Sequence, residues 1–103
     1  MSILDVIEGR ARACAMHSSC EDFLRAVPDR SVNLLWMDPP YYRVVDEAWD
    51  RQWKTEGEYF VWLRGVLAEV SRVLAPNGAL YLFASPEMAA RVEVACTEYF
   101  NVL

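Results

Sequence analysis

Four consecutive residues, Asp38-Pro39-Pro40-Tyr41, carry side chains and backbone suited to chemistry. Asp38 brings a carboxylate that, when ionised, accepts hydrogen bonds and donates none. Pro39 and Pro40 have fixed φ and no backbone N–H, so the backbone there offers only carbonyl acceptors. Tyr41 brings a flat ring able to stack on another flat ring. The set is rigid, aromatic and rich in acceptors, and it suits a planar group bearing an NH2. An exocyclic base amine is a weak nucleophile because its lone pair is delocalised into the ring. Two acceptors gripping its hydrogens would hold it and favour the pyramidal, nucleophilic geometry.

Such a tetrad acts only if other elements position it. Val32–Met37 is an apolar run interrupted only by Asn33. It is β-rich and too short for a helix, which predicts a buried strand. The tetrad then falls at the carboxyl end of a strand, where open α/β sheets bind ligands. Downstream, Thr55-Glu56-Gly57-Glu58 reads as a capping box, with Thr55 at the N-cap and Glu58 at the third helical position. The helix it opens carries Tyr59, Leu63, Val66, Leu67, Val70, Val73 and Leu74 at three- and four-residue spacing, a core stripe. Pro76-Asn77-Gly78 is expected to end it. Residues 79–84 predict a second buried strand. Ser85-Pro86-Glu87 predicts the cap, first-position proline and first-turn acid of another helix, running to about Glu98. Phe100-Asn101-Val102-Leu103 predicts the first residues of a third strand.

Upstream, residues 3–8 leave helix and strand open, and residues 11–17 alternate weakly enough to predict a short strand ending near His17. Ser18 or Ser19 then caps a short helix, with Glu21 and Asp22 in its first turn and Phe23, Leu24 and Val27 facing inward. Pro28-Asp29-Arg30-Ser31 is a turn. The alternation of strand and helix predicts an α/β fold with a mainly parallel sheet and right-handed crossovers.

These residues together resemble the S-adenosylmethionine-dependent amino methyltransferases of DNA, whose catalytic motif Asp38-Pro39-Pro40-Tyr41 matches. The flanks extend the likeness over roughly residues 17–100. Pro28-Asp29-Arg30-Ser31-Val32-Asn33-Leu34-Leu35 resembles the family's lead-in strand, Asp46-Glu47-Ala48-Trp49-Asp50 the segment after its motif, and residues 59–83 the next helix–strand unit. The resemblance implies a partial Rossmann-like methyltransferase sheet and S-adenosylmethionine as methyl donor. It implies double-stranded DNA with a flipped adenine as substrate, Asp38 and the Pro39 carbonyl as acceptors for the target amine, and Tyr41 as the ring on which the base stacks. An acidic first residue implies adenine N6 over cytosine N4. Tyr42 stands where relatives commonly have Asn. Ser19 and Cys20 align with a segment that in relatives lies near the cofactor adenine, so Ser19, Cys20 and Asp38 are the implied cofactor contacts. Restriction-modification is the setting the family suggests.

The chain has 103 residues, four of them glycine, and none of these forms a Gly-x-Gly. The glycine-rich cofactor loop and a target-recognition region are thus expected elsewhere, in the permuted order in which the catalytic motif comes first. Residues 1–103 then read as the catalytic-motif half of a methyltransferase domain. An apolar fraction of 54% allows a core and argues against disorder. No secretory leader or membrane-length apolar run is evident, and Cys14, Cys20 and Cys96 show no paired spacing. These features predict a cytoplasmic protein without a disulfide framework or zinc site. The net charge of −5 gives no basic footprint for nucleic acid. It keeps two further readings open: a related methyltransferase of RNA or protein amide, and an interaction module that self-associates through its unfinished sheet. His17, the only histidine, reads as structural or as strand-end solvation. Trp49, Asp50 and Trp53 read as a loop packed over the sheet or, less favoured, as a lid that orders when DNA or cofactor binds. Arg43, Arg51 and Lys54 are in reach of phosphates but are expected to face solvent.

Overall fold

The computed structural model describes residues 2–42 and 52–103. Its elements are α1 (Ile3–Ile7), α2 (Cys20–Ala26), β1 (Val32–Met37), α3 (Glu56–Val73), β2 (Leu74–Leu82) and α4 (Ala89–Cys96). Strands β1 and β2 pair in parallel, with Leu34 opposite Ala79, Leu35 opposite Leu80, Trp36 opposite Tyr81 and Met37 opposite Leu82. A parallel pair needs a crossover, and the segment containing α3 supplies it. The fold is mixed α/β, a partial Rossmann-like sheet with flanking helices. Among the described residues no helix is long and apolar enough to cross a membrane.

Helix α3 organises the interior. Thr55 Oγ1 accepts from the Glu58 N–H at 3.1 Å, as its sequence predicts. The Glu58 carboxylate reaches back to the Lys54 N–H, 2.8 Å away and one residue beyond the N-cap. Tyr59, Phe60, Leu63, Val66, Leu67, Val70 and Val73 are buried along one stripe. The stripe feeds two clusters. One holds Leu24, Val27, Val66, Val70, Val73 and Leu74; the other holds Trp53, Tyr59, Phe60, Leu63, Leu67, Met88, Val92 and Ala95. The first seats α2 on α3, and the second seats α4 on α3.

Arg72 ties the C-terminus of α2 to α3. Its guanidinium donates to the carbonyls of Leu24 at 2.7 Å and Val27 at 2.9 Å, and pairs with Asp29 and Glu69. The carboxylates of Asp29 and Glu69 hold its pKa above the ordinary arginine value. The turn between α2 and β1 passes through Arg30 at φ +54°, a left-handed residue, whose N–H donates to the Arg72 carbonyl at 2.9 Å.

Several elements differ from the sequence expectation. Residues 11–17 form no strand, because their alternation is weak and neither β1 nor β2 pairs with them. The open stretch at residues 3–8 resolves as the helix Ile3–Ile7 with Glu8 as its C-cap, and Ser2 caps its start through a capping box with Asp5. Helix α3 stops at Val73, and Leu74 already pairs with Val32. Pro76-Asn77-Gly78 therefore does not end the helix but forms an excursion inside β2, where the register slips between Val32 and Leu34. Glycine is required at the return. A Cβ on Gly78 would lie 3.0 Å from the Ala75 and Val32 carbonyl oxygens and 3.2 Å from that of Asn33.

The two strands are half-buried, not buried. Leu35, Met37, Leu80 and Leu82 pack toward the helices. On the opposite face Leu34 is 56% exposed, Trp36 65%, Tyr81 56% and Phe83 43%. Alternation along a strand requires two faces, and among the described residues the helices cover one. Trp36 stacks on Tyr81 at 5.5 Å and tilts against Phe83 at 5.3 Å on the open side. Helix α4 begins at Ala89, later than expected, with Met88 at its N-cap and no side-chain cap. Ser85 is carried into the interior, its Oγ without a partner among the described residues, and only its carbonyl joins the turn by accepting from Met88 N–H at 3.1 Å. Residues 101–103 are irregular, where a third strand was expected; among the described residues they have no strand partner.

Candidate active site

The tetrad leaves the carboxyl end of β1 directly after Met37. There β1 and β2 are still joined, since Phe83 N–H donates to the Met37 carbonyl at 3.0 Å. Asp38 is exposed, Pro39 is buried, and Pro40 and Tyr41 are half-buried. The tetrad is thus a rigid lip: its first proline sits in the protein and its carboxylate faces out. The Tyr41 hydroxyl donates to Asp38 Oδ1 at 3.2 Å, closing a small ring of contacts within the motif.

Beneath this lip lies an aromatic cluster. Tyr59, 3% exposed, donates its hydroxyl to the Pro40 carbonyl at 3.1 Å. Trp53 meets Tyr59 edge-on at 4.9 Å, and Tyr42, Phe60 and Trp62 surround the same ring at 6.0, 5.4 and 5.9 Å. Trp53 thus packs where the sequence places it, as part of the loop covering the core. Arg43, Trp49, Asp50 and Arg51, with the rest of the stretch from Asp46 to Asp50, lie outside the described residues.

Ser19 and Cys20 sit at the start of α2. Ser19 is the N-cap, and its Oγ accepts from Asp22 N–H at 3.1 Å. Cys20 is exposed, with Sγ 3.6 Å from Glu21 Oε1. Partial burial and then the Glu21 charge and hydrogen bond push the Cys20 thiol up to about 11. Burial also opposes ionisation of Glu21, but hydrogen bonds from the Trp62 indole N–H, its own backbone N–H and the Cys20 and Ser19 side chains outweigh it and hold its carboxyl below the usual range. The fit to an S-adenosylmethionine molecule is accordingly uneven. Asp38 presents an exposed acceptor, whereas Ser19 Oγ is engaged in capping and the Cys20 sulfur faces a carboxylate.

The two parts of the candidate site are joined through α3. Trp62 holds Glu21 in the first turn of α2, and Tyr59, one helical turn away, holds Pro40. The sequence pattern identifies Tyr59 only as a core position. The available signal is its type: a tyrosine in an otherwise aliphatic stripe has a polar tip that needs a partner when buried. His17 is exposed and outside any strand. Among the described residues no group of three or more His, Cys, Asp or Glu side chains is placed to hold a metal ion.

With this geometry the comparison with known proteins is direct. The sequence model of the DNA methylase family, the N6/N4 amino methyltransferases, matches residues 32–103, from the start of β1 onward. This chain belongs to that family. It is also similar to the DNA adenine methyltransferase YhdJ of Escherichia coli (strain K12), with 29% identity over 99 residues, which cover 91% of this chain and 32% of that protein. The chain thus spans about a third of the length of the curated relative it matches.

Proposed function

We propose that this chain is the catalytic-motif half of a site-specific DNA adenine-N6 methyltransferase that uses S-adenosylmethionine. The observation that carries the reading is the placement of the tetrad. In a chain of the DNA methylase family, Asp38 faces outward at the end of a parallel strand, with the Tyr41 ring beside it. Asp38 and the Pro39 carbonyl accept the two hydrogens of a flipped adenine's amine, and Tyr41 stacks on the base. S-Adenosylmethionine, when bound, supplies an electrophilic methyl group on a sulfonium. The residues of this chain hold the amine in line for it, so alignment dominates over early deprotonation. Ser19, Cys20 and Asp38 form the part of the cofactor wall that lies in this chain. A glycine-rich cofactor loop and a target-recognition region belong to a longer parent, which acts in the cytoplasm alongside a restriction enzyme.

The test is transfer of labelled methyl groups from S-adenosylmethionine to duplex DNA by the full-length gene product, followed by nucleoside analysis. N6-methyladenine is expected. N4-methylcytosine would overturn the base assignment, and label in RNA or protein alone would move the activity to another substrate class.

A second reading has its own observation. The net charge of −5 and the open apolar face of Leu34, Trp36, Tyr81 and Phe83 favour, for these 103 residues alone, an interaction module that self-associates through its sheet. Wild-type-like methyl transfer by the 103-residue chain as a monomer would overturn it.

A further inference from the structure

We infer that Tyr59 is a positioning residue for methyl transfer, setting the tetrad's geometry by hydrogen-bonding the Pro40 carbonyl from the hydrophobic core. The inference rests on the proposed function and adds a residue outside the motif. Pro39 and Pro40 have fixed φ, so the conformational freedom left to them is their ψ angles. The ψ of Pro40 orients the peptide plane that carries its carbonyl and leads into Tyr41. A donor at 3.1 Å on that carbonyl therefore fixes where Tyr41 begins.

Tyr41 in turn reaches Asp38 Oδ1 at 3.2 Å. The stacking ring and the accepting carboxylate thus hold each other by their own hydrogen bond, on a backbone that the Tyr59 bond orients from below. The donor is well anchored. Tyr59 is 3% exposed, sits in the first turn of the long helix α3, and is wedged among Trp53, Phe60 and Trp62. A ring held on all these sides has little freedom to follow a moving loop, so the loop follows the ring.

The bond also has a chemical reason to be a phenol. A phenylalanine would fill the same space, yet it would leave the buried side of the lip with one donor fewer. Productive transfer needs the amine aligned to within a fraction of an ångström. A lip free to rotate about ψ of Pro40 spends less time in that alignment, and the loss falls on turnover rather than on binding.

The experiment uses the full-length gene product with three variants: Tyr59→Phe, Tyr59→Phe carrying a para-amino group on the ring, and Asp38→Ala. In Tyr59→Phe, kcat is expected to fall about tenfold with KM for S-adenosylmethionine unchanged, which at about 1.4 kcal/mol per factor of ten matches one lost hydrogen bond. The para-amino ring restores a donor to the carbonyl and is expected to restore most of kcat. Loss of melting temperature with wild-type kcat and KM would make Tyr59 merely structural and overturn the inference, while Asp38→Ala remaining inactive would leave the proposed function standing. A wild type that transfers methyl to no DNA would overturn both. Should Tyr59→Phe fold poorly, the 13C resonance of the Pro40 carbonyl in the wild-type chain decides. A hydrogen-bonded shift supports the inference, and the shift of a free carbonyl sinks it.

Discussion

The hydroxyl of Tyr41 donates to Asp38 Oδ1 across 3.2 Å, so the first and last residues of the motif touch each other. This makes the two substitutions at Tyr41 informative in opposite ways. Tyr41→Phe keeps the ring and releases Asp38, and full-length enzyme carrying it is expected to stay within about tenfold of wild-type kcat/KM, a change of ~1.4 kcal/mol. Tyr41→Ala removes the ring proposed to stack on the base, a contact worth about 1–3 kcal/mol per base, and is expected to lose between about fivefold and 150-fold. Asp38→Ala is expected to abolish transfer with little change in melting temperature, because Asp38 is exposed and outside the core. Equal damage from Phe and Ala at position 41 would show that the hydroxyl, not the ring, is the working part.

Arg72 offers a stability test remote from the site. Arg72→Leu keeps the stem and removes the guanidinium that holds the Leu24 and Val27 carbonyls and the Asp29 carboxylate. Lost hydrogen bonds to a charged donor predict a cost of about 2 kcal/mol. For a domain of this size that is a fall of about 10 °C in the thermal midpoint, read by circular dichroism. A change under about 2 °C would mean that solvent replaces these bonds without loss.

Cys20 is expected to react slowly although it is exposed. Its thiol lies at about 11. At pH 8 an ordinary thiol near 9 is about one-tenth thiolate, and Cys20 about one-thousandth; the greater nucleophilicity of a more basic thiolate recovers part of this, so alkylation by iodoacetamide should run about tenfold slower than for a free thiol. The cause predicts the remedy: Glu21→Gln removes the neighbouring negative charge and should speed labelling, while partial burial keeps the rate below that of a free thiol. Rapid labelling of the wild type at pH 8 would contradict this account.

The 103-residue chain is expected to self-associate and to show no methyl transfer alone. Strands β1 and β2 each have one unpaired edge among the described residues, and their outer face carries Leu34, Trp36, Tyr81 and Phe83. Open edges and apolar faces are templates for pairing. Light scattering should report species larger than one chain, and Trp36→Lys with Tyr81→Lys should return the monomer. A monodisperse wild-type monomer would refute the expectation.

What could be read from the sequence follows from how local each signal is. β1, the Thr55-capped start of α3 and a serine cap on α2, read as Ser18 or Ser19 and found as Ser19, are encoded within a turn or two, and they form where they were expected. The tetrad's position at a strand end followed from the apolar run before it. What could not be read depends on neighbours far along the chain. Pro76-Asn77-Gly78 has turn chemistry, but whether it ends a helix or interrupts a strand is decided by where Leu74 pairs with β1. Ser85-Pro86-Glu87 has the form of a cap, yet the direction of β2 carries Ser85 inside. Apolarity on both faces of β1 and β2 reads as complete burial; among the described residues the helices cover one face.

The contacts that link the parts of the candidate site are long in sequence. Tyr59 and Pro40 are 19 residues apart, and Trp62 and Glu21 are 41 apart. Closing such loops costs entropy that no local helix repays, and contacts of this reach slow the search for the native state. Neither α2 nor α3 alone can set the tetrad's arrangement, which makes it a property of the assembled fold rather than of any local element.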